Sequence, residues 1–231
     1  MVGRNASGNE MEHSCIQRVP IFNHLEATEM LEVAKHAHSE TYRKGETVYN
    51  AGEQSNGLYI VHKGQVKVYR LAENGKEQLI RILKPGEFTG ELSLFKRTEH
   101  DAFAETLATT ELCVMDRDDF QSFLMKYPEV ALKMLSEFST RLQVAEQQMT
   151  RNSLESAENR IAMYLAELSL QQQSETISLP ISRKDIASYL GTTPETVSRK
   201  LAEFEDLGVI RQEGQRKIGV LNLEKLQEYS L

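Results

Sequence analysis

Glu195, Ser198 and Arg199 are spaced so that one face of a helix would carry all three side chains. Arginine can donate two hydrogen bonds to guanine, glutamate can accept one from cytosine, and a serine hydroxyl can donate or accept. This face therefore has the chemistry needed to read base edges in DNA. The alternative is an ordinary surface ion pair between Glu195 and Arg199, which are four residues apart.

The surrounding residues predict a helix-turn-helix that would present this face. Ser182 is a predicted cap for a first helix that ends near Leu190, and Gly191 suits the left-handed residue after a helix. Thr193 is the predicted cap of the second helix, with Pro194 at its first position. The face opposite to the polar one supplies the predicted core, namely Val197, Leu201, Phe204 and Leu207.

A predicted wing follows, in which the segment RQEGQRKIGVLN reads as strand, glycine turn and strand. Residues 183–217 hold seven basic and six acidic side chains, a balance of +1, whereas the whole chain has a net charge of -7. Positive charge is therefore concentrated where a phosphate backbone would lie. The predicted phosphate contacts are Arg183, Lys184, Thr193, Lys200, Arg216 and Lys217.

The first half of the chain has a different pattern of residue types. Residues 1–15 form a polar lead, and residues 16–40 are predicted to be largely helical. From Tyr42 onward, short β-rich runs alternate with recurrent glycines, and Asn74-Gly75 predicts a tight hairpin. Residues 16–126 thus predict an antiparallel β-roll, which makes the whole chain an α+β protein.

Residues 127–152 predict a long helix that begins at Pro128 and carries a narrow apolar stripe. A hinge is predicted at residues 150–153, and Ser156 is the predicted cap of the next helix. The spacing alternates between three and four residues, as in a coiled-coil seam, which favours a contact between two copies of the chain. The alternative is a helix that packs on its own roll. Residues 153–231 would then form the winged helix-turn-helix domain. The predicted seam consists of Leu135, Phe138, Leu142, Ala145 and Met149.

In this order, the three regions resemble the CRP/FNR family of transcription regulators. The resemblance rests on KGETVYNAGEQSNGLYIVHKGQVKVY, PGEFTGELSLF and ISRKDIASYLGTTPETVSRKLAEFEDLGVI, and it covers residues 16–231. It implies a homodimer, not an enzyme, that binds palindromic double-stranded DNA and contacts RNA polymerase. The E-x-x-S-R pattern is similar to that of the FNR branch, which implies TTGA half-sites within TTGAT-N4-ATCAA.

The resemblance also raises the question of an effector. In the cyclic-AMP receptor, an Arg-Ser pair holds the cyclic phosphate; the matching place here holds His100 and Asp101, and an aspartate would repel phosphate. Ala145 and Glu146 match the positions that contact the purine, while Glu91 matches the residue that holds the ribose. We therefore expect no response to cyclic AMP. A sensor for an unidentified polar or cationic ligand, lined by Glu91, His100, Asp101 and Glu146, stays an alternative.

The cysteines suggest a second kind of signal. Two cysteines cannot supply the four ligands of the FNR iron–sulfur cluster, so no cofactor is expected. The chain is similar to FNR-like proteins of lactic acid bacteria that also have one N-terminal and one roll cysteine. That likeness implies a thiol–disulfide switch between Cys15 and Cys113. The alternative is that Cys113 fills the core and Cys15 is a surface thiol.

Other functional classes find little support in the sequence. No run approaches the roughly 20 apolar residues of a membrane span, and the N-terminus lacks a secretory signal, so a cytoplasmic location is expected. A metalloenzyme with a cupin-like roll would need an H-x-H pair on a strand. His36 and His38 have that spacing but are predicted to lie on a helix, where they would diverge. The remaining histidines are scattered: His13, His24, His62 and His100.

Overall fold

Two four-stranded antiparallel sheets, with strand orders β1-β8-β3-β6 and β2-β7-β4-β5, form the β-roll predicted from the recurrent glycines. The computed structural model describes residues 19–229, with only the backbone described at residues 148 and 150–154. The strands of the roll are β1 (Ala37–Tyr42), β2 (Thr47–Tyr49), β3 (Gly57–Lys63), β4 (Val66–Leu71), β5 (Glu77–Leu83), β6 (Phe88–Thr89), β7 (Phe103–Thr106) and β8 (Thr110–Asp116).

Strand β8 shows how the roll divides its core between two faces. Leu112 and Val114 belong to the apolar cluster that includes residues of both sheets. Cys113 and Met115 point to the opposite face, because successive side chains alternate along a strand. They pack in a second cluster with residues of the helices. The four side chains are 6% exposed or less, so β8 is buried on both faces.

The β4–β5 turn confirms the predicted hairpin. Gly75 has a φ of +75°, which a residue with a side chain rarely adopts. The Asn74 Oδ1 atom accepts a 3.0 Å hydrogen bond from the Lys76 amide, and the Ala72 amide donates to the Lys76 carbonyl at 2.9 Å. The Asn-Gly pair therefore closes the connection between two strands of the same sheet.

Three short helices between residues 19 and 126 complete the roll; one is shorter than predicted and two were not predicted. Within residues 19–40, helix α1 covers only Ala27–His36, because Ala37–Tyr42 pairs with β8 as an edge strand. Helix α2 is Glu91–Phe95. Helix α3, Arg117–Lys126, was not predicted; it buries Phe120 and Phe123 against the roll.

Helix α4, Pro128–Leu154, is the predicted seam helix, and it begins at the predicted proline. The helix continues past residues 150–153, where the sequence predicted a hinge. The chain leaves helical geometry at Glu155 and Ser156, here called the α4–α5 break. Ser156 then caps the next helix as predicted, because its side chain accepts a 3.1 Å hydrogen bond from the Asn159 amide.

The chain forms two units, one up to Arg141 and one from Leu142 onward, so α4 contributes to both. The second unit has a small sheet with strand order β10-β11-β9. Among the described residues, no helix has the length and apolarity that a membrane crossing requires. After α4, the elements of the second unit are α5 (Ala157–Gln172), β9 (Thr176–Ser178), α6 (Arg183–Tyr189), α7 (Pro194–Asp206), β10 (Ile210–Gln212), β11 (Lys217–Val220) and α8 (Leu223–Glu228).

Candidate nucleic-acid interface

Helices α6 and α7 form the predicted helix-turn-helix, and the predicted caps are present. Ser182 Oγ accepts a 3.1 Å hydrogen bond from the Asp185 amide at the start of α6. Gly191 adopts a φ of +62° in the turn. Thr193 Oγ1 accepts from the Thr196 amide at 3.3 Å at the start of α7. The local sequence thus determines where each helix begins and how the turn is made.

Helix α7 has one buried and one exposed face. Val197, Leu201 and Phe204 are at most 1% exposed and form its core side. Leu207, predicted to join them, is 54% exposed because it follows the last helical residue, just before the left-handed Gly208. The exposed polar face begins at the start of the helix and carries Glu195, Ser198, Arg199 and Ala202.

Arg199 is available for an outside partner. Its Nε lies 3.8 Å from Glu203 Oε1, and the two side chains are 67% and 43% exposed. An exposed pair at this distance contributes little to stability. A guanine or phosphate can therefore replace Glu203 as the partner of Arg199 at small cost.

The wing is joined to both helices of the motif through Gln212 on β10. Glu205 of α7 accepts hydrogen bonds from the Gln212 backbone amide at 2.7 Å and from its side-chain amide at 2.8 Å. The backbone bond, and then the side-chain bond, lowers the pKa of Glu205. Arg183 of α6 donates to Gln212 Oε1 at 2.8 Å and lies 3.4 Å from the Gly214 carbonyl in the turn of the wing. The interactions of Arg183 are therefore mainly with the wing.

The other predicted phosphate contacts fall into two groups. Lys184, Arg216 and Lys217 are exposed, as is the capping residue Thr193. Lys200 is different because its ammonium group lies 2.5 Å from Glu203 Oε2 and 2.9 Å from Glu158 Oε2. These two bonds raise the pKa of Lys200. Its charge is matched within the protein, which makes Lys200 a poorer phosphate contact than the exposed residues.

Three of the four effector candidates line one cavity of about 230 Å³ in the roll: Glu91, His100 and Asp101. Glu146 lies in the second unit and is exposed on α4. It is not among the residues that line the cavity. Arg70 and Arg81 also line the cavity and were not predicted to do so. Arg81 had a visible signal, since it interrupts the apolar run of β5.

Glu91 is held in this cavity by two arginines. Its Oε1 atom accepts hydrogen bonds from Arg141 at 2.8 Å and from Arg81 at 3.0 Å. The Arg141 guanidinium also lies 4.2 Å from the centre of the Phe88 ring. Glu91 is therefore a buried carboxylate whose charge is compensated from β5 and α4.

Buried polar atoms in the lining find no hydrogen-bond partner among the residues that the structure describes. They are Ser55 Oγ, Glu91 Oε2 and His100 Nε2. The His100 ring stacks on Tyr49 at 3.7 Å, and burial lowers the pKa of His100. Asp101 forms an ion pair with Arg70. The cavity thus offers hydrogen-bonding groups that a water molecule or a polar ligand could satisfy.

Cys113 lies on β8, as predicted, and is 1% exposed. It is disulfide-bonded rather than a free thiol. The other residue of the predicted switch, Cys15, lies outside the described residues.

The predicted seam lies mainly on the exposed side of α4. Leu135, Leu142 and Met149 are 60%, 61% and 71% exposed, and Ala145 is exposed too. Phe138 is the exception: it is partly buried on the roll, with its ring centre 6.2 Å from that of Phe95. The side of α4 that packs on the roll is a different stripe, formed by Val130 and Met134, each at most 1% exposed.

The H-x-H pair of the metalloenzyme alternative is not placed as predicted. His36 ends α1 and lies 3.4 Å from Asp119, whereas His38 is on β1 and lies 3.2 Å from Glu40. The prediction that a helix carries both residues was wrong, because β1 begins between them. Among residues 19–229, no cluster of His, Cys, Asp and Glu side chains is arranged to hold a metal ion.

Comparison with known proteins agrees with this architecture. Residues 39–127 match the cyclic nucleotide-binding domain family, and residues 159–229 match the Crp-like helix-turn-helix domain family. A protein described as the probable transcriptional regulator flp, from Lacticaseibacillus casei, is 33% identical over 95% of this chain and 100% of its own. The cyclic AMP receptor protein of Thermus thermophilus is 31% identical over 83% of this chain and 88% of its own.

Solved structures give the same result. FixK2 from Bradyrhizobium japonicum is 30% identical, covers 84% of this chain and 96% of its own, and superposes with a TM-score of 0.74. A CooA mutant from Carboxydothermus hydrogenoformans is 26% identical, covers 86% of this chain and 90% of its own, and superposes with a TM-score of 0.75. With its roll, its winged helix-turn-helix and relatives along nearly its whole length, the chain belongs to the CRP/FNR family of DNA-binding transcription regulators and is not an enzyme.

Proposed function

We propose that the protein binds DNA as a homodimer and reads a palindrome of TTGA-type half-sites through Glu195, Ser198 and Arg199. The observation that carries this proposal is the polar face of α7, where the three side chains are exposed directly after a capped helix-turn-helix turn. In this motif, the first residues of the second helix are the ones that reach base edges in the major groove. Arg199 pairs with the guanine of each half-site.

Phosphate contacts place the reading face on the duplex. The basic side chains of Lys184, Arg216 and Lys217 lie on α6 and the wing, and the Thr193 hydroxyl lies at the start of α7. Arg183 is not in this set, because its guanidinium group is bonded to Gln212 in the wing. RNA polymerase is the further partner that the family resemblance implies.

The dimer is supported by the exposed stripe of α4. Single exposed leucines are common, but Leu135, Leu142 and Met149 repeat at seven-residue intervals along one helix, which is the pattern of a coiled-coil seam. Two copies joined along this stripe would place their α7 helices in successive major grooves, about 34 Å apart.

The binding proposal is tested by fluorescence anisotropy with a TTGAT-N4-ATCAA duplex and a scrambled duplex of equal composition. We expect affinity for the palindrome at least about 1000-fold higher than for the scrambled duplex, the lower end of specific recognition. Equal affinities under both reducing and oxidising conditions would contradict the proposed half-site.

We propose redox control as the signal. The support is that Cys113 is buried and disulfide-bonded, on a strand that packs against α1, α3 and α4. Closing a loop of roughly 100 residues by a bond to Cys15 would restrict the unfolded chain by about 4 to 5 kcal/mol in the entropic account. Forming or breaking that bond would therefore shift the stability of the roll.

Replacing Cys15 by serine should abolish the redox dependence of DNA binding, since Cys113 would lose its partner. The measurement is the palindrome affinity of Cys15→Ser and wild type, each with dithiothreitol and after oxidation. The affinity of wild type for the palindrome should change with redox state, and the affinity of the variant should not. A variant that responds as strongly as wild type would rule out the switch.

A small polar ligand in the roll cavity is the second candidate signal, favoured by the unpartnered atoms of Ser55, Glu91 and His100. The charges around the cavity disfavour a cyclic phosphate. Asp101 and Glu99 line it, Arg70 and Arg81 already pair with Asp101 and Glu91, and burial disfavours the protonated form of His100. A donor-rich neutral or cationic ligand suits the acceptor at Glu91 Oε2.

Calorimetric titration with cyclic AMP should therefore show no binding, and palindrome affinity should be the same with and without the nucleotide. The Thermus thermophilus cyclic AMP receptor protein is the positive control. Micromolar binding to this chain would show that the charge arrangement does not exclude the phosphate.

A further inference from the structure

Arg160 connects the α4–α5 break to the turn that precedes α7. From its place in the first turn of α5, it donates from Nη1 to the Glu155 carbonyl at 2.5 Å and from Nε to the Leu190 carbonyl at 2.8 Å. Its Nη2 lies 3.5 Å from the Gly191 carbonyl. One guanidinium group thus contacts two segments that are 35 residues apart in the chain.

Both segments are places where helical hydrogen bonding stops. Glu155 is the first residue after α4, and Leu190 and Gly191 follow α6. The last carbonyls of a helix have no partner within it and need one from elsewhere. A planar guanidinium has five donors in fixed directions, so it can bond to separate carbonyls at once, which an ammonium group on a flexible stem cannot do with the same geometry.

A second contact links α5 to α7. Lys200, in the middle of α7, bonds to Glu158 of α5 at 2.9 Å. Helix α5 is therefore tied to the turn before α7 by Arg160 and to α7 itself by Lys200. Of these two side chains, Arg160 also bonds to the α4–α5 break.

We infer that Arg160 is a positioning residue that sets the orientation of α7 relative to the end of α4, and thereby the half-site spacing that the dimer accepts. This inference rests on the proposed reading of a palindrome by a dimer. Adding or removing one base pair shifts a half-site by about 3.4 Å along the duplex and rotates it by about 35°. A dimer in which this connection is fixed would bind the altered spacing weakly. A dimer in which it is flexible would bind the altered and the original spacing with similar affinity.

The test compares wild type with Arg160→Gln and Arg160→Lys on duplexes whose half-sites are separated by three, four or five base pairs. A duplex with one half-site reports the reading face alone. Wild type should prefer the four-base-pair spacer by about tenfold or more, an effect of the size of one mismatched base pair. For Arg160→Gln, the affinities for the three spacer duplexes should lie within about threefold of one another. Its affinity for the single half-site should stay near that of wild type. Arg160→Lys should give an intermediate preference.

Gln172→Ala is the matched control. Gln172 also lies on α5 and bonds to backbone, donating to the Ser178 carbonyl and accepting from its amide, both at 2.8 Å. Within the part of the chain that the structure describes, its hydrogen bonds do not reach the break or the turn. It should keep the wild-type spacer preference. Thermal melting of each variant shows whether the domain is folded, and Arg160→Lys decides the outcome if Arg160→Gln is unfolded.

A spacer preference equal to that of wild type in a folded Arg160 variant would overturn the inference. So would a uniform loss of affinity on every duplex, the single half-site included, because it would give Arg160 a merely structural role. Failure of wild type to prefer any palindrome over scrambled DNA would instead contradict the proposed function.

Discussion

Arg199→Ala is expected to weaken binding to the palindrome by about 1–3 kcal/mol for each half-site and to relax the preference at one base pair. The loss is specific because arginine discriminates guanine through two donors aimed at the guanine O6 and N7 atoms. The fold should be unaffected, since Arg199 is 67% exposed and its nearest partner, Glu203, is 3.8 Å away.

The measurement is the affinity of wild type and Arg199→Ala for the palindrome and for duplexes in which the G·C pair of each half-site is replaced. Wild type should lose affinity when that pair changes, and the variant should not. Lys217→Ala is the control for a phosphate contact: it should weaken binding to all duplexes alike and reduce the slope of log affinity against log salt concentration by about one for each half-site. A variant that still prefers the G·C pair would contradict the role of Arg199.

Leu142→Glu is expected to separate the dimer. Leu142 lies at the middle of the predicted seam and is 61% exposed in the single chain, so the substitution should leave each copy folded. At the seam, it would bury a carboxylate from each copy without a counter-charge, a situation that costs about 3–5 kcal/mol. Affinity for the palindrome should fall when the dimer is lost, because one copy reads only one half-site.

Sedimentation velocity and palindrome binding would be measured together on this variant. Leu170→Glu is the matched control, since Leu170 is also an exposed leucine, at 56%, but lies on α5 outside the seam. It should remain dimeric. A dimeric Leu142→Glu with unchanged DNA binding would show that the copies meet through another surface.

Local signals in the sequence predicted the DNA-binding half best. Gly191, Thr193 and Pro194 each have a conformational role that depends only on near neighbours, and the structure shows all three in those roles. The same holds for the Asn74-Gly75 hairpin. Leu207 was misplaced because the pattern of the helix face was extended one residue beyond the helix.

Features that depend on distant contacts were harder to predict. Residues 37–40 of strand β1 were expected to be helical, because nothing local shows that Ala37–Tyr42 pairs with β8, more than 60 residues later. The roles of Arg81 and Arg141 arise only when β5 and α4 converge on Glu91. Arg160 depends equally on the folded position of the turn before α7.

The most direct test of half-site reading by a dimer is selection of bound duplexes by the wild-type protein from a pool with a random central region. Unlike binding to a chosen palindrome, selection assumes no site in advance. We expect the enriched duplexes to carry two inverted TTGA half-sites separated as in TTGAT-N4-ATCAA, and Arg199→Ala to lose the preference for the guanine of each half-site. Enrichment of an unrelated sequence, or of unpaired single sites, would contradict the assignment of Glu195, Ser198 and Arg199 as the reading face of a dimer.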